Sequence, residues 1–99
     1  MIAITQAGSF VGDWRLEGCS LYVTLEPCIM SCGATLHARI PTDVDGTTDP
    51  KAGAAGTLFH LLGDARLNHR CQVVPGVLAG PSGELLTRFF QEQRRLGKK

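Results

Sequence analysis

Two cysteines lie four residues apart in the segment Pro27-Cys28-Ile29-Met30-Ser31-Cys32, and this segment carries the clearest chemical signal in the sequence. A thiol at the start of a helix has a lowered pKa and suits a metal ligand, and Cys28 follows the strand-ending Glu26-Pro27. A residue at i+4 turns to roughly 40° from the first one, so we expect Cys32 on the same face. We therefore predict Cys28 as a metal ligand, with Cys32 either as a second ligand or as a small buried apolar residue.

The residues around Cys28 predict a strand that runs directly into a helix. Ser20–Leu25 is a short run with Tyr, Val and Thr, which are common in strands. Glu26-Pro27 ends this run, because proline donates no ladder hydrogen bond but fits the first turn of a helix. The predicted helix covers Cys28–Ala38. Open α/β sheets bind ligands at such junctions, where helix N–H groups face a crevice.

The remaining residues predict alternating strands and helices, as in an α/β layered domain. With 99 residues the chain makes one domain, and only about three strands are visible, which is few for a sheet that stands alone. The predicted elements are helices at Met1–Ala7, Leu58–Leu62 and Glu84–Leu96, a weak strand after Pro41 that leads into a loop as far as Gly56, and a strand at Gln72–Val77 interrupted by Pro75-Gly76.

Composition limits the possible partners. The net charge is only +1, so any nucleic-acid surface must be local, and the basic residues cluster near the end of the chain. These residues are Arg88, Arg94, Arg95, Lys98 and Lys99. No apolar run approaches the roughly 18 residues of a membrane span and the N-terminus has no secretory pattern, so we expect a cytoplasmic chain with no membrane contact. In that compartment four cysteines favour metal-binding or catalytic roles over disulfides.

Three segments resemble one family. Thr24–Ala34 resembles the P-C-x-x-C half of the zinc nucleobase deaminase signature, whose H-x-E half supplies a histidine ligand and a general acid/base glutamate. Asp49–Leu58 and Leu67–Arg70 are typical of the bacterial tRNA adenosine deaminases in that superfamily. The resemblance implies a three-layer α/β/α cytidine-deaminase-like sandwich. It also implies zinc-dependent hydrolytic deamination of the tRNA wobble adenosine to inosine, by a homodimer with one Zn2+ per subunit.

The sequence departs from the family pattern in two places. Met1–Ile4 looks like the residues that follow H-A-E in the family, so we expect that motif immediately before Met1. On this interpretation residues 1–99 are the C-terminal two-thirds of a deaminase domain, without its first helix and first two strands. Ser31 stands where the family has its second cysteine ligand, and Cys32 is a candidate substitute one place later. We therefore expect the chain as given to hold Zn2+ poorly and to be inactive.

The resemblance also implies which residues contact RNA. The loop with Asp49, Lys51 and Gly53 permits close approach of an RNA strand, and Asn68-His69-Arg70 suits stacking and phosphate contact with an extruded base of the tRNA anticodon stem-loop. Asp45 stands where the family has an apolar or aromatic residue, so we expect its carboxylate to disturb the base pocket.

Two other functions remain open. A non-catalytic relative that binds RNA or acts as a scaffold would explain Ser31 and the lost histidine. A deaminase of free guanine or cytosine would keep the chemistry, but it would not need the Lys51 loop or the Asn68-His69 pair. Metal content separates the enzyme from the scaffold.

Overall fold

The structure, a computed structural model, describes residues 1–97, so Lys98 and Lys99 of the basic C-terminal stretch lie outside the described residues. Strands and helices alternate along the chain as the sequence predicts. The elements are α1 Ile2–Val11, β1 Ser20–Leu25, α2 Ile29–His37, β2 Thr42–Thr47, a short 3-10 turn at Leu61–Gly63, β3 Gln72–Val74 and α3 Ala79–Arg95.

The three strands form one parallel sheet in the order β1-β2-β3. Tyr22 of β1 lies beside Val44 of β2, and Val44 lies beside Val74 of β3. The middle strand β2 is therefore covered by strands on both edges and by helices on its faces. The predicted α/β class and the three strands are confirmed.

Helices pack on both faces of the sheet, which gives three layers. Asp43 of β2 and its register partner Val73 face the side of α2, where the larger apolar cluster lies. That cluster contains Cys32, Leu36, Ala54, Ala55, Leu62 and Cys71. Side chains alternate along a strand, so Gly46 faces the opposite side, where an added Cβ would lie 2.7 Å from Ser82 Oγ of α3. Glycine at position 46 allows α3 to approach β2 this closely.

The helix α2 begins where the sequence predicts. Cys28 is its N-cap, with an extended backbone at φ −80° and ψ 179°, and the Cys32 N–H donates to the Cys28 carbonyl at 2.9 Å. The helix ends at Ala38, and Arg39 follows in the left-handed region at φ 60°. The Leu16 N–H donates to the Ala38 carbonyl at 2.7 Å, which fixes this end of α2 to the segment after α1.

Several predicted boundaries were wrong. The predicted helix at Leu58–Leu62 is a loop that turns back at Gly56, whose φ of 139° favours glycine, and only Leu61–Gly63 is helical. The helix α3 begins five residues before the predicted Glu84, because Pro81 is tolerated in the first turn of a helix. The strand β3 ends at Val74, directly before Pro75-Gly76.

None of the helices within residues 1–97 has the length and apolar composition that a membrane span requires.

Candidate functional site

Cys28 lies at the N-terminus of α2, where the chain leaves β1. Its Sγ is half-buried and lies 3.7 Å from the hydroxyl oxygen of Ser31, one turn into the helix. Hydrogen bonds from the Ser31 backbone and side chain lower the pKa of the Cys28 thiol. A thiolate at a helix N-terminus is the form that binds metals and acts as a nucleophile.

An open cavity of about 310 Å³ lies in front of Cys28. It is bounded by α1, by β1 and by the first two turns of α2, so it lies at the predicted strand-to-helix junction. Its polar lining includes Tyr22, Glu26, Cys28, Ser31, Thr35 and Asp49. These side chains are the polar groups that a ligand in this cavity would meet.

Cys32 does not line that cavity. Its side chain is fully buried in the apolar cluster between α2 and the sheet, and its Sγ lies 3.7 Å from the Pro27 carbonyl. Burial, and then the nearby Asp43 carboxyl, raise the pKa of the Cys32 thiol to about 12. The structure therefore favours the buried apolar residue over the substitute metal ligand. The prediction that Cys28 and Cys32 share one helix face assumed that both residues are helical. Cys28 is instead the N-cap residue, with an extended backbone.

Glu26, one residue before Pro27, is buried although it is charged. Its carboxylate accepts hydrogen bonds from the backbone N–H groups of Asp49, Ala55 and Thr57 and from the Thr57 hydroxyl. Burial raises the pKa of Glu26, but these hydrogen bonds lower it further and the net change is downward. Glu26 is therefore ionised and fully engaged, and it has no lone pair left to take a proton in the cavity. Sequence reasoning treated Glu26 only as the end of the strand.

The loop 48–57 reaches the cavity through Asp49. One Asp49 carboxylate oxygen accepts hydrogen bonds from Lys51 N at 3.0 Å and Ala52 N at 3.1 Å, which shapes the turn. Lys51 lies on the outer side of this turn, in a groove of about 660 Å³ between the loop and α3 that also contains Arg94. Gly53 is buried against the Glu26 carboxylate. The structure thus brings Asp49 to Cys28 and places Lys51 in the adjoining groove.

The predicted segment Asn68-His69-Arg70 lies elsewhere. His69 Nε2 is 2.9 Å from the Ile40 carbonyl, which ties this segment to the end of α2. Asn68 and His69 line a separate cavity of about 290 Å³ along α2, beside Ile29. Arg70 is exposed. Within the described residues these three side chains do not line the cavity in front of Cys28.

The sequence analysis did not predict the two buried carboxyl groups that lie side by side on β2. Asp43 and Asp45 point to the same face of β2, are 0% and 3% exposed, and lie within hydrogen-bond reach of each other. Within residues 1–97, no donor reaches either carboxyl oxygen of Asp43 or Oδ2 of Asp45. Burial, with the Asp45 carboxyl beside it, raises the pKa of Asp43 to about 7. The sequence Asp43-Val44-Asp45 could have revealed this pair, because alternate residues of a strand point to the same face of the sheet.

The expectation that Asp45 disturbs the base pocket was wrong. Asp45 is a core residue of β2 and does not line the cavity of Cys28.

The donor set at this site does not fit zinc. Zinc requires about four ligands, of which thiolate and imidazole are typical, and a neutral hydroxyl is a poor substitute. Cys28 is the one thiol in the cavity, Ser31 offers a hydroxyl, and Cys32 is in the core. Within residues 1–97, no three side chains of His, Cys, Asp or Glu are placed to hold a metal ion.

Comparison with known proteins places these features in a family. The chain is 48% identical over 98 residues to a tRNA-specific adenosine deaminase of Bacillus subtilis (strain 168), covering 99% of this chain and 61% of that protein. It is 43% identical over 98 residues to one of Streptococcus pyogenes serotype M18, covering 99% and 62%. It is 44% identical over 94 residues to one of Haemophilus influenzae, covering 95% and 54%. The chain thus spans about six-tenths of the length of the first two relatives.

The fold agrees with a solved structure. A structure from a study of A-to-I editing by tRNA:A34 deaminases at the wobble position of transfer RNA superimposes with a TM-score of 0.77 at 37% identity, over 82% of this chain and 59% of that one. The resemblance to tRNA adenosine deaminases and the cytidine-deaminase-like α/β fold are therefore confirmed. The profile of the MafB19-like deaminases matches residues 1–94, and the chain belongs to the MafB19-like deaminase family.

Proposed function

We propose that this chain is part of an enzyme that converts adenosine to inosine in tRNA. In this reaction water adds to the amidine carbon of the base and ammonia leaves. The observation that carries the proposal is the Glu26-Pro27-Cys28 junction, where the N-terminus of α2 opens on a cavity shared with Asp49. The similarity to tRNA-specific adenosine deaminases supports this choice of substrate, and a tRNA substrate is consistent with the predicted cytoplasmic location.

The residues of this chain hold the base but do not supply the proton transfer. The cavity walls and the N–H groups at the start of α2 suit a polar, planar base. Deamination needs an acid/base group that moves a proton from water to the ring and the amine. Glu26 is fully hydrogen-bonded and is therefore not available for that role, and one Asp49 carboxylate oxygen is held in its own turn. We propose that the 99-residue chain binds substrate without turning it over.

The groove between loop 48–57 and α3 is the proposed path of the RNA backbone. Lys51 and Arg94 both line it, and Arg88 is exposed on the same helix. Cations in such a groove attract phosphates, while the aromatic ring of Phe90 offers a surface for a base. An anticodon stem-loop is the proposed ligand because its bases are unpaired and can be extruded.

The 99-residue chain is expected to bind an anticodon stem-loop RNA and to produce no inosine. Fluorescence anisotropy measures binding, and sequencing after reverse transcription reads inosine as guanosine. Lys51→Gln is expected to weaken binding about fivefold, since one phosphate contact is worth about 1 kcal/mol. Arg66→Gln is the matched control, because Arg66 is exposed and pairs with Asp64. Inosine in the product would refute the proposal that the 99-residue chain is inactive. Equal losses of RNA affinity for Lys51→Gln and Arg66→Gln would refute the proposal that RNA binds in the groove.

We also propose that two copies associate through the N-terminal turn of α2. Ile29 is 56% exposed and Met30 is 67% exposed, although they lie next to Cys28. Ile29 borders the cavity along α2 together with Leu61 and Leu67, so an apolar surface continues there. Exposed apolar surface of this kind marks protein contacts.

Sedimentation velocity is expected to detect a dimer of the 99-residue chain. Ile29→Asp is expected to shift it to monomer, because a charge buried in the contact costs several kcal/mol. Leu85→Asp is the matched control, since Leu85 is 57% exposed on α3, away from α2. A wild-type monomer, or a dimer that survives Ile29→Asp, would contradict this assignment.

A non-catalytic RNA-binding relative is the second candidate. Two observations favour it: Ser31 lines the cavity, and Cys32 lies in the core. Cys28 is then the one thiol among the described residues that line the cavity. Restoring a thiol at position 31 separates the two functions. A zinc site that recovers with this single change indicates a recent loss from an enzyme, whereas a site that does not recover favours the scaffold.

A further inference from the structure

The loop 48–57 is attached to the cavity by one buried side chain. We infer that Glu26 is a positioning residue that holds this loop in the shape that presents Asp49 and Lys51 to RNA. The inference rests on the proposed function, because it assigns the loop to RNA. Glu26 borders the cavity but is only 4% exposed, and its carboxylate oxygens are taken up by donors from the loop, so its role is to position the loop.

The Glu26 carboxylate is the centre of a closed set of hydrogen bonds. Oε1 accepts from Asp49 N at 3.1 Å, and Oε2 accepts from Ala55 N at 3.0 Å and Thr57 N at 3.0 Å. The Thr57 hydroxyl donates to Oε1 as well. The donors come from both ends of the loop, so the carboxylate links the two ends to each other. The donors lie 23 to 31 residues away from Glu26 along the chain, so these bonds form only in the folded protein.

The loop leaves no room for another arrangement. An added Cβ at Gly53 would lie 2.5 Å from the Glu26 carboxylate, so the loop backbone packs directly on the carboxyl group. On either side, Glu26 N donates to the Thr47 carbonyl and Ala54 N donates to the Pro27 carbonyl, both at 2.9 Å. The loop is thereby bonded to the two residues that precede Cys28.

The charge of Glu26 is held without a cation. The backbone N–H groups and the Thr57 hydroxyl lower its pKa against the effect of burial, so the acceptor stays ionised near neutral pH. Replacement by glutamine would keep the shape but place an amide N–H₂ against backbone N–H donors. At least one donor would then face another donor, and the loop would open.

Hydrogen exchange and RNA binding of the 99-residue chain test this inference. Glu26→Gln is expected to raise amide exchange in peptides from 49–57 at least about tenfold, with little change in α3, since the net loss is one or more charged hydrogen bonds. Affinity for an anticodon stem-loop RNA is expected to fall about tenfold. Glu17→Gln is the matched control, because the Glu17 side chain is 70% exposed.

Thr57 supplies a milder second test. Thr57→Val removes the hydroxyl donor and is expected to loosen the same loop less than Glu26→Gln does, while Thr57→Ser keeps the donor and is expected to behave as wild type. Unchanged exchange in 49–57 for Glu26→Gln and Thr57→Val would overturn the inference, as would an equal rise along the whole chain. Should wild type bind no RNA, the proposed function fails, while the exchange data still decide whether Glu26 holds the loop.

Discussion

Asp43→Val is expected to stabilise the protein, with an increase of about 2–4 kcal/mol in the free energy of unfolding at pH 8. Asp43 is fully buried in the middle strand and no donor group reaches its carboxyl oxygens. The groups that face it are Asp45, Glu26, Cys32 and Cys71, none of which is a cation. Valine has a similar size and suits a buried strand, so it removes the burial cost without opening a cavity.

The stabilisation is expected to shrink at lower pH. Burial, with the Asp45 carboxyl beside it, raises the pKa of Asp43 from its ordinary 3.8 to about 7 in the folded chain, so the folded state prefers the protonated form. Folded stability is therefore highest below about pH 4 with respect to this group, and it falls as the pH rises through 7. Protonation lets one carboxyl donate to the other. The gain from Asp43→Val should thus be smaller at pH 5 than at pH 8.

Urea unfolding at both pH values measures this effect. Asp13→Val is the matched control, because Asp13 is exposed and its change is expected to stay within about 0.5 kcal/mol. A destabilised Asp43→Val protein, or a gain that is the same at pH 5 and pH 8, would show that the buried carboxyl has a partner in solution.

Ser31→Cys is expected to raise the affinity of the chain for Zn2+ at least about 100-fold, because ligand type and count set zinc affinity. The Cys28 Sγ and Ser31 Oγ atoms are 3.7 Å apart. Two thiolates on one tetrahedral zinc, with Zn–S of about 2.3 Å, lie about 3.8 Å apart. The backbone of α2 therefore already holds position 31 at the spacing of a second thiolate. Titration against a chelating zinc indicator measures the affinity.

Cys32 provides the control for this change. Cys32→Ala is expected to leave zinc affinity unchanged, both in wild type and beside Ser31→Cys, because Cys32 lies in the apolar cluster. Compared with Ser31→Cys alone, the double change Ser31→Cys with Cys32→Ser adds the cost of a buried hydroxyl at position 32 and no further ligand. A large loss of zinc on Cys32→Ala would mean that the thiol leaves the core to bind metal.

The junction around Cys28 could be predicted because its signals are local. A run of strand formers, a proline and a helical run define β1 and α2 to within one residue. The role of Glu26 could not be predicted, because its partners at 49, 55 and 57 return to it only in the folded chain. The α/β layering followed from the alternation of elements. The start of α3 at Ala79 did not, because the apolar residues at helical spacing begin only at Leu85.

The predictions about single side chains were less secure than the fold. We predicted that Cys32 shares a helix face with Cys28, because the helical angle was counted from Cys28. Cys28 is an N-cap residue with an extended backbone, so this angle does not apply to it. Asp45 was assigned to the pocket because it stands where the family has an apolar or aromatic residue, but strand alternation directs it into the core beside Asp43. Asp49, Lys51 and the RNA contacts stay predictions.

The zinc content of the purified 99-residue chain tests the central claim most directly, namely that this deaminase-family chain presents one thiol, Cys28, at its strand-to-helix junction and a hydroxyl, Ser31, one turn later. Plasma mass spectrometry after dialysis against a weak chelator is expected to find far less than one zinc per wild-type chain, and more in Ser31→Cys. One tightly held zinc per wild-type chain would contradict the account, because Ser31 or Cys32 would then be a competent ligand.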